Sequence, residues 1–296
     1  MKRSVDLLAS QGIEVEAIPT AGPNDAARLV QSVSHSETDL ILVAGGDGTI
    51  NEVVNGMAGS KLPLGILPAG TANVLANELK LGKTMEKAAA ELLQCVPERV
   101  ALGVLSTATG DSPRYFLLMA GAGLDADIVY NLNPRMKDSL GKVAYWIGGL
   151  AKFGQRLPEF TVETEGRAYR TSFALVSRVR NYGGDLEISP TISLLDDEFE
   201  MVLFEGANSV PYVKYMLGVL ARRIQGMKGV TVLRTRKALL SGPEAGTVYV
   251  QVDGESAGAV PASVELVPSA LTLLVPPGFR TRRPAREAAW TTSPPR

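Results

Sequence analysis

The sequence predicts an α/β plus all-β protein, with an N-terminal doubly wound α/β domain over residues 1–97 and a C-terminal antiparallel β-sandwich domain over 98–279. Three observations carry this. Before Pro97, helix-like and strand-like stretches alternate, and two apolar strands each pass through a glycine turn into a helix, as in an open parallel sheet covered on both faces. After Pro97 the chain breaks into short β-branched runs divided by turn residues, the pattern of antiparallel strands. The length of 296 residues suits two domains at about 150 residues each.

Taken in order, residues 3–11 read as a short helix stopped by Gly12, 13–18 as an alternating strand, and 25–34 as a helix opened by Pro23-Asn24-Asp25. Leu40-Ile41-Leu42-Val43-Ala44 is a continuous apolar run, expected of a parallel strand buried on both faces. Gly45-Gly46-Asp47-Gly48-Thr49 follows, then a helix over 50–57 whose start is set by a Thr49-x-x-Glu52 capping box. Leu64-Gly65-Ile66-Leu67 repeats the strand, Pro68-Ala69-Gly70 breaks it, and Thr71 reads as the N-cap of a helix to Leu79. Residues 84–94 form a further helix. Strands are then read at 100–105, 115–120, 160–165, 169–177, 199–204, 230–233, 248–252, 263–267 and 271–275, the last able to return to the first domain. Helical insertions are read at 141–153 and 211–224, and the Pro-rich, polar segment 280–296 is expected to be a disordered tail.

Composition narrows the function. A formal net charge of −1 gives no footprint for general nucleic-acid binding, and one Cys with one His excludes an intramolecular disulfide and a Cys/His zinc site. Any metal must therefore be a hard cation on oxygen ligands. No apolar run reaches the roughly 18 residues of a membrane span, and Asp6 interrupts the N-terminal apolar stretch, so neither a transmembrane segment nor a signal peptide is expected. A cytoplasmic protein follows from this reading.

A glycine loop between a buried strand and a helix aims backbone N–H groups and the positive helix end at one spot, which suits a phosphate. The loop at 45–49 lacks the lysine of a P-loop and carries Asp47 instead, an acid that could hold Mg²⁺ or a water network; a tight turn with no ligand is the alternative. The turn at 68–73 is the same device on the neighbouring strand. Two such loops at the carboxyl ends of adjacent parallel strands would face one crevice, where ligands of this architecture bind.

Gly45-Gly46-Asp47-Gly48-Thr49-Ile50-Asn51-Glu52-Val53-Val54-Asn55-Gly56, followed by Leu67-Pro68-Ala69-Gly70-Thr71-Ala72-Asn73, resembles the catalytic domain of the diacylglycerol kinase family, which includes sphingosine kinases and bacterial lipid kinases. The resemblance continues through Gly121-Ala122-Gly123-Leu124-Asp125-Ala126, Tyr182-Gly183-Gly184, Ser189-Pro190 and Val252-Asp253-Gly254-Glu255. It implies an ATP- and Mg²⁺-dependent lipid kinase that meets a diacylglycerol-like or sphingoid lipid at a membrane surface, peripherally on its inner face. Position by position, it implies that Gly45, Gly46, Asp47, Gly48, Thr49, Asn51, Glu52, Gly70, Thr71 and Asn73 line the ATP site, with Thr20 also touching nucleotide. Asp253 and Glu255 match the acidic pair that faces the acceptor hydroxyl, one serving as proton acceptor; Asp-Gly between strands is equally the signal of a plain hairpin.

Ser193-Leu194-Leu195-Asp196-Asp197-Glu198 resembles the family's loop for a structural Mg²⁺, with the Asp196 carboxylate and the carbonyls of Ser193 and Glu198 as ligands. Asp197 stands where the family usually has glycine. Family members also open with a strand leading into an Asn-Pro-x-x-Gly loop, whereas this chain opens in the helix that follows; the expectation is a start upstream of Met1 or an impaired cradle. The rival readings are an NAD kinase, which shares the Gly-Gly-Asp-Gly-Thr loop, and a non-catalytic nucleotide or lipid binder. His35 reads as a surface residue and Cys95 as core. Tyr145, Trp146 and Ile147 with Arg135, Lys137 and Lys142, and the helix bearing Lys214, Arg222 and Arg223, read either as bilayer contacts or as ordinary helices with solvated flanks. The oligomeric state is left open, a homodimer included.

Overall fold

The computed structural model describes residues 1–33, 37–108, 112–131, 154–182, 186–242 and 247–282. His35, the helix read at 141–153 with its aromatic and basic flanks, Gly183-Gly184 and residues 283–296 lie outside them. The N-terminal half runs α1 (Lys2–Ser10), α2 (Asp25–Gln31), β1 (Ile41–Gly45), α3 (Asp47–Met57), β2 (Pro63–Pro68), α4 (Val74–Leu79) and α5 (Met85–Leu92). β1 and β2 are parallel, and their faces are covered separately. Val43, Leu64 and Ile66 meet Ala26 of α2 and Ile50, Val53 and Val54 of α3 on one side. Leu42, Ala44 and Leu67 meet Leu8 of α1 and Ala88, Ala89 and Leu92 of α5 on the other, with Cys95 packed against them. Consecutive strand residues point to opposite faces, so the continuous apolar runs are what two-sided burial requires.

β3 (Val96–Thr107), β4 (Arg114–Phe116), β5 (Met119–Gly123), α6 (Leu124–Asn131), β6 (Phe160–Thr164), β7 (Arg167–Thr171), β8 (Phe173–Ser177), β9 (Asn181–Tyr182) and β10 (Leu186–Glu187) begin the second half. β11 (Phe199–Phe204), α7 (Val210–Leu220), β12 (Val230–Thr235), β13 (Lys237–Ser241), β14 (Tyr249–Val252), β15 (Glu255–Ala259) and β16 (Ala262–Val275) complete it. A six-stranded sheet in the order β12-β11-β8-β5-β14-β15 packs its inner face, through Phe199, Met201, Ala174, Val176 and Val250, onto a larger sheet holding β16, β13, β6 and β7. β16 ties the halves together. Its first part pairs antiparallel with β13, its last part parallel with β2, and its whole length antiparallel with β3. Glu78 of α4, buried at 2% exposure, accepts from the Arg180 Nε at 3.3 Å and fixes the α/β half against the six-stranded sheet.

Local expectations are corrected at several places. The strands read at 115–120 and 169–177 are each split, into β4 and β5 and into β7 and β8, with the two parts in different sheets. Residues 13–18 form no strand, because a strand needs a ladder partner and, among the described residues, β1 pairs with β2 alone; Ile13 and Val15 instead lay their side chains on the Leu8 cluster. α3 starts at Asp47 with Gly46 as N-cap, so the Thr49–Glu52 capping box does not form, and the Glu52 carboxylate accepts from Ala26 N (3.2 Å) in the first turn of α2. α4 starts at Val74 behind an Asn73 N-cap, not at Thr71. Residues 263–267 and 271–275 are one strand, broken in register where Ser269 takes φ 49°. A 3-10 turn at Pro277–Arg282 carries the fold past residue 280, with Arg280 Nε 2.8 Å from Glu98 Oε1.

Candidate active site

The register Gly45↔Pro68 brings the carboxyl ends of β1 and β2 level, so both glycine turns leave the sheet side by side, with Ala69 N donating to Gly45 O at 3.0 Å. Their backbones touch. A Cβ on Gly70 would sit 2.5 Å from the Gly46 Cα, and one on Gly46 would sit 3.2 Å from the Gly70 Cα. Asn73, at φ 46°, closes the second turn by accepting from Gly70 N (2.9 Å) and donating to Gly70 O (2.7 Å). Asp47 joins the two. Its carboxylate accepts from Val74 N at 3.0 Å and Leu75 N at 3.3 Å, so it caps α4 from across the crevice instead of turning outward toward a cation. Burial pushes its carboxyl above the ordinary carboxylate range, and the two amides pull the other way.

The second half brings its acids to the same place. Val252 pairs with Glu255 across a two-residue turn in which Asp253 and Gly254 take φ 48° and 84°, the left-handed geometry of a tight hairpin. Glu255 Oε1 reaches to 3.5 Å from where a Cβ on Gly48 would stand, at the N-terminus of α3. That end of the helix carries the positive pole of its dipole.

Asp253 is held differently. Its Oδ1 accepts from Leu118 N (3.1 Å) and Met119 N (2.8 Å), and its Oδ2 from Leu117 N (3.2 Å) and the Asn51 amide of α3 (2.8 Å). A carboxylate has about four lone-pair sites, and here four N–H donors fill them. Burial pushes the carboxyl up to about 6 against that pull. Asn55, one turn after Asn51, accepts from Tyr115 N (2.8 Å) and donates to Tyr115 O (2.9 Å), so one face of α3 clamps β4 and the hairpin together.

Behind the hairpin, Gln251 accepts from Gly254 N (2.8 Å) and donates to Asp125 Oδ2 (2.7 Å), and the Tyr182 hydroxyl donates to Asp125 Oδ1. Asp125 is 1% exposed and its pKa is raised by burial. Asn55 and Gln251 escaped the sequence reading as site residues, as did the role of Asp125; the Asn51/Asn55 spacing was the available signal. Thr20 is exposed in the segment before α2, and Thr71 lies in the second turn, apart from its N-cap.

The Ser193–Glu198 loop is filled by arginine. Asp196 N donates to Ser193 O (2.9 Å), and Asp196 Oδ2 accepts from Ser193 N (3.0 Å) and from Arg234 NH1 (3.3 Å). The fully buried Arg178 donates to the carbonyls of Leu194 (2.6 Å) and Asp196 (3.1 Å). Burial lowers its pKa to about 10, with Asp197 and Asp196 holding it up. Of the three ligands expected there, the Asp196 carboxylate already faces the Arg234 guanidinium and the Ser193 carbonyl accepts from Asp196 N. Among the described residues no group of three or more His, Cys, Asp or Glu side chains is placed to hold a metal.

Residues 1–105 match the Diacylglycerol kinase catalytic domain family, and residues 119–275 match the YegS C-terminal NAD kinase beta sandwich-like domain family. A Bacillus subtilis (strain 168) protein named diacylglycerol kinase is 28% identical over 84% of this chain and 82% of its own length. One of the same name from Mycobacterium tuberculosis (strain ATCC 25618 / H37Rv) is 27% identical over 91% and 87%. A Bacillus anthracis str. Sterne crystal structure described as a diacylglycerol kinase superposes with a TM-score of 0.75 at 21% identity, over 94% of this chain and 90% or more (91%) of that one, a likeness of fold. No helix of the described residues is long and apolar enough to cross a membrane. With both halves matched in order and both glycine turns and the acidic hairpin converging on one crevice, the chain belongs to the diacylglycerol kinase catalytic-domain family and is a kinase with a lipid-type acceptor.

Proposed function

We propose that the protein transfers the γ-phosphoryl group of ATP to a hydroxyl of a diacylglycerol-like or sphingoid lipid, with Glu255 as the proton acceptor. The observation that supports this most is the approach of Glu255 to Gly48, which sets an acid from the β half beside the amide end of α3. The nucleotide phosphates would lie against Gly46, Gly48 and Gly70, where helix-end amides and the dipole favour anions. Mg²⁺ carried in with ATP would supply neutralisation of the phosphate oxygens; the glycine crevice brings no acidic cluster of its own.

In a loose phosphoryl transfer the acceptor hydroxyl loses its proton late, so an ordinary carboxylate within hydrogen-bond reach suffices. Asp253 is the less suited of the pair, since its lone pairs already hold four donors; its part is to fix the hairpin and keep a negative charge behind it. The acceptor would come from the β side. There a cavity of about 130 Å³ is lined by Leu124, Asp127, Leu157, Pro158, Val248 and Tyr249, on the strand that leads into the hairpin.

The test is incubation of purified protein with γ-labelled ATP, Mg²⁺ and either mixed diacylglycerols and sphingoid bases or NAD. Label in the organic phase is expected. Label on NAD would make the protein an NAD kinase, and no transfer with retained ATP binding would make it a nucleotide-binding protein without this activity.

A further inference from the structure

Among the described residues, half of the exposed large apolar side chains lie on one helix. Five residues of α7, Val210, Val213, Met216, Leu217 and Leu220, are between 40% and 61% exposed. At roughly 100° per residue these positions fall within an arc of about 120°, a single stripe. The opposite face is the one that folding needs. Tyr215 and Val219 are buried, and the Tyr215 and Tyr212 rings lie 4.9 Å and 5.8 Å from that of Phe204 on the outer face of the six-stranded sheet. The Tyr212 hydroxyl is 2.8 Å from Ser172 Oγ. α7 is thus locked to the sheet by one side while its other side offers Leu, Met and Val to solvent. A stripe of this size is not needed by the core, and an apolar patch of this extent on a soluble protein marks an interaction surface.

The charge around the stripe selects the partner. Residues 206–229 contain Lys214, Arg222, Arg223 and Lys228 and no Asp or Glu, in a chain whose net charge is −1. Lys214 Nζ donates to Lys228 O at 2.8 Å, which holds two of these cations together at one flank. Arg222 Nε pairs with Glu187 at 3.2 Å, while Arg223 and Lys228 are exposed. An apolar helix face whose own segment carries cations and no acid, with Glu187 and Glu205 approaching from neighbouring elements, on a helix fastened flat against its domain, complements the apolar interior and negative headgroups of an anionic bilayer.

We propose that α7 is the membrane-docking surface of this protein, with the Val213–Leu217–Leu220 stripe entering the acyl boundary and Arg223 and Lys228 meeting anionic headgroups. The proposal rests on the lipid-kinase reading only for its purpose; the surface itself is argued from exposure and charge.

The experiment is flotation of the full chain with vesicles of phosphatidylcholine containing about one third phosphatidylglycerol, and with phosphatidylcholine alone, alongside phosphorylation of a water-soluble short-chain diacylglycerol without vesicles. Wild type is expected to float with the anionic vesicles at least tenfold more than with the neutral ones, and less at high salt. The triple variant Val213→Ser, Leu217→Ser, Leu220→Ser is expected to lose at least tenfold in vesicle binding and to keep the rate on the soluble lipid. Arg223→Glu with Lys228→Glu, which leaves the packed face alone, is expected to lose the preference for anionic vesicles, and so guards against misfolding of the triple variant. Equal flotation of wild type and both variants, or no flotation of wild type, overturns the proposal. So does a wild-type dimer that the triple variant converts to monomer with vesicle binding unchanged, since a second copy would then cover the stripe. Vesicle binding that depends on α7 with no phosphorylation of any lipid would leave the docking surface standing and remove the kinase reading instead.

Discussion

The hairpin at Asp253 and the loop at Asp196 are both short acidic turns on the six-stranded sheet, and their surroundings turn the same side chain to opposite ends. Asp253 is met by four neutral N–H donors, three of them backbone. Its charge is stabilised without being cancelled, so the hairpin that carries Glu255 stays negative where it faces the glycine crevice. Asp196 is met by Arg234, its neighbours' carbonyls by Arg178, and the Asp197 carbonyl by Arg236 Nε at 2.8 Å. Arg234 also pairs with the buried Glu200 at 3.4 Å. There Arg234 is shared between the Asp196 and Glu200 carboxylates, which weakens the field a cation would respond to. A carboxylate's function is set by whether its donors carry charge.

The comparison breaks first at Glu255. Glu255→Gln is expected to lower the turnover rate by about 10²- to 10⁴-fold, the usual contribution of a positioned base, with the melting temperature and ATP affinity unchanged. A loss below tenfold would move the proton acceptor to Asp253. Asp253→Asn is expected to act chiefly on stability. The new amide would turn an NH₂ group toward backbone N–H donors and leave at least one unsatisfied, a cost of about 2–3 kcal/mol in urea unfolding. A variant of unchanged stability with the rate lost would show that Asp253 takes part in the chemistry directly.

Much of this contrast was legible in the sequence, and the missing part has a physical cause. The two glycine turns, the two apolar strands that lead into them and the Asp-Gly hairpin are local patterns, and each formed where it was read. Thr49 and Thr71 were misplaced as caps because a backbone N–H can be capped from a distance. The amides at the start of α4 are taken by Asp47 from another turn, and one in the first turn of α2 by Glu52 from α3. The same applies to the loop at 193–198. Arg178 and Arg234 lie 16 and more residues away along the chain from the oxygens they hold, so no local spacing could announce them.

A smaller effect sharpens the account of Asp253. Its carboxyl is pushed up to about 6 from an ordinary 3.8, so the folded protein holds this proton more tightly than the unfolded chain between about pH 4 and pH 6. Its contribution to stability is therefore complete below about pH 3.8 and lost as the pH rises through about 6. Activity should run the other way. A protonated Asp253 no longer keeps a negative charge behind Glu255, so kcat/KM is expected to fall by up to tenfold per pH unit below about 6. A flat profile between pH 5 and pH 7 would place Asp253 outside the working site.

The smallest expected effect is at Asp196, and its smallness is what makes it informative. A cation that binds only the folded state stabilises it by RT ln(1 + [L]/Kd), about 2.7 kcal/mol when present at 100 times Kd. A structural site of ordinary tightness would therefore raise the melting temperature by several degrees in millimolar Mg²⁺. With guanidinium groups already on the loop's oxygens, the nucleotide-free protein is expected to melt within about 1 °C of the same temperature in EDTA and in millimolar Mg²⁺. Arg234→Met removes the charge from Asp196 without adding one, and should open the loop to the metal, so that the variant alone gains stability from Mg²⁺. A Mg²⁺-dependent shift in wild type that disappears in Asp196→Asn would mean that the metal displaces Arg234, and the two acidic turns would then be alike.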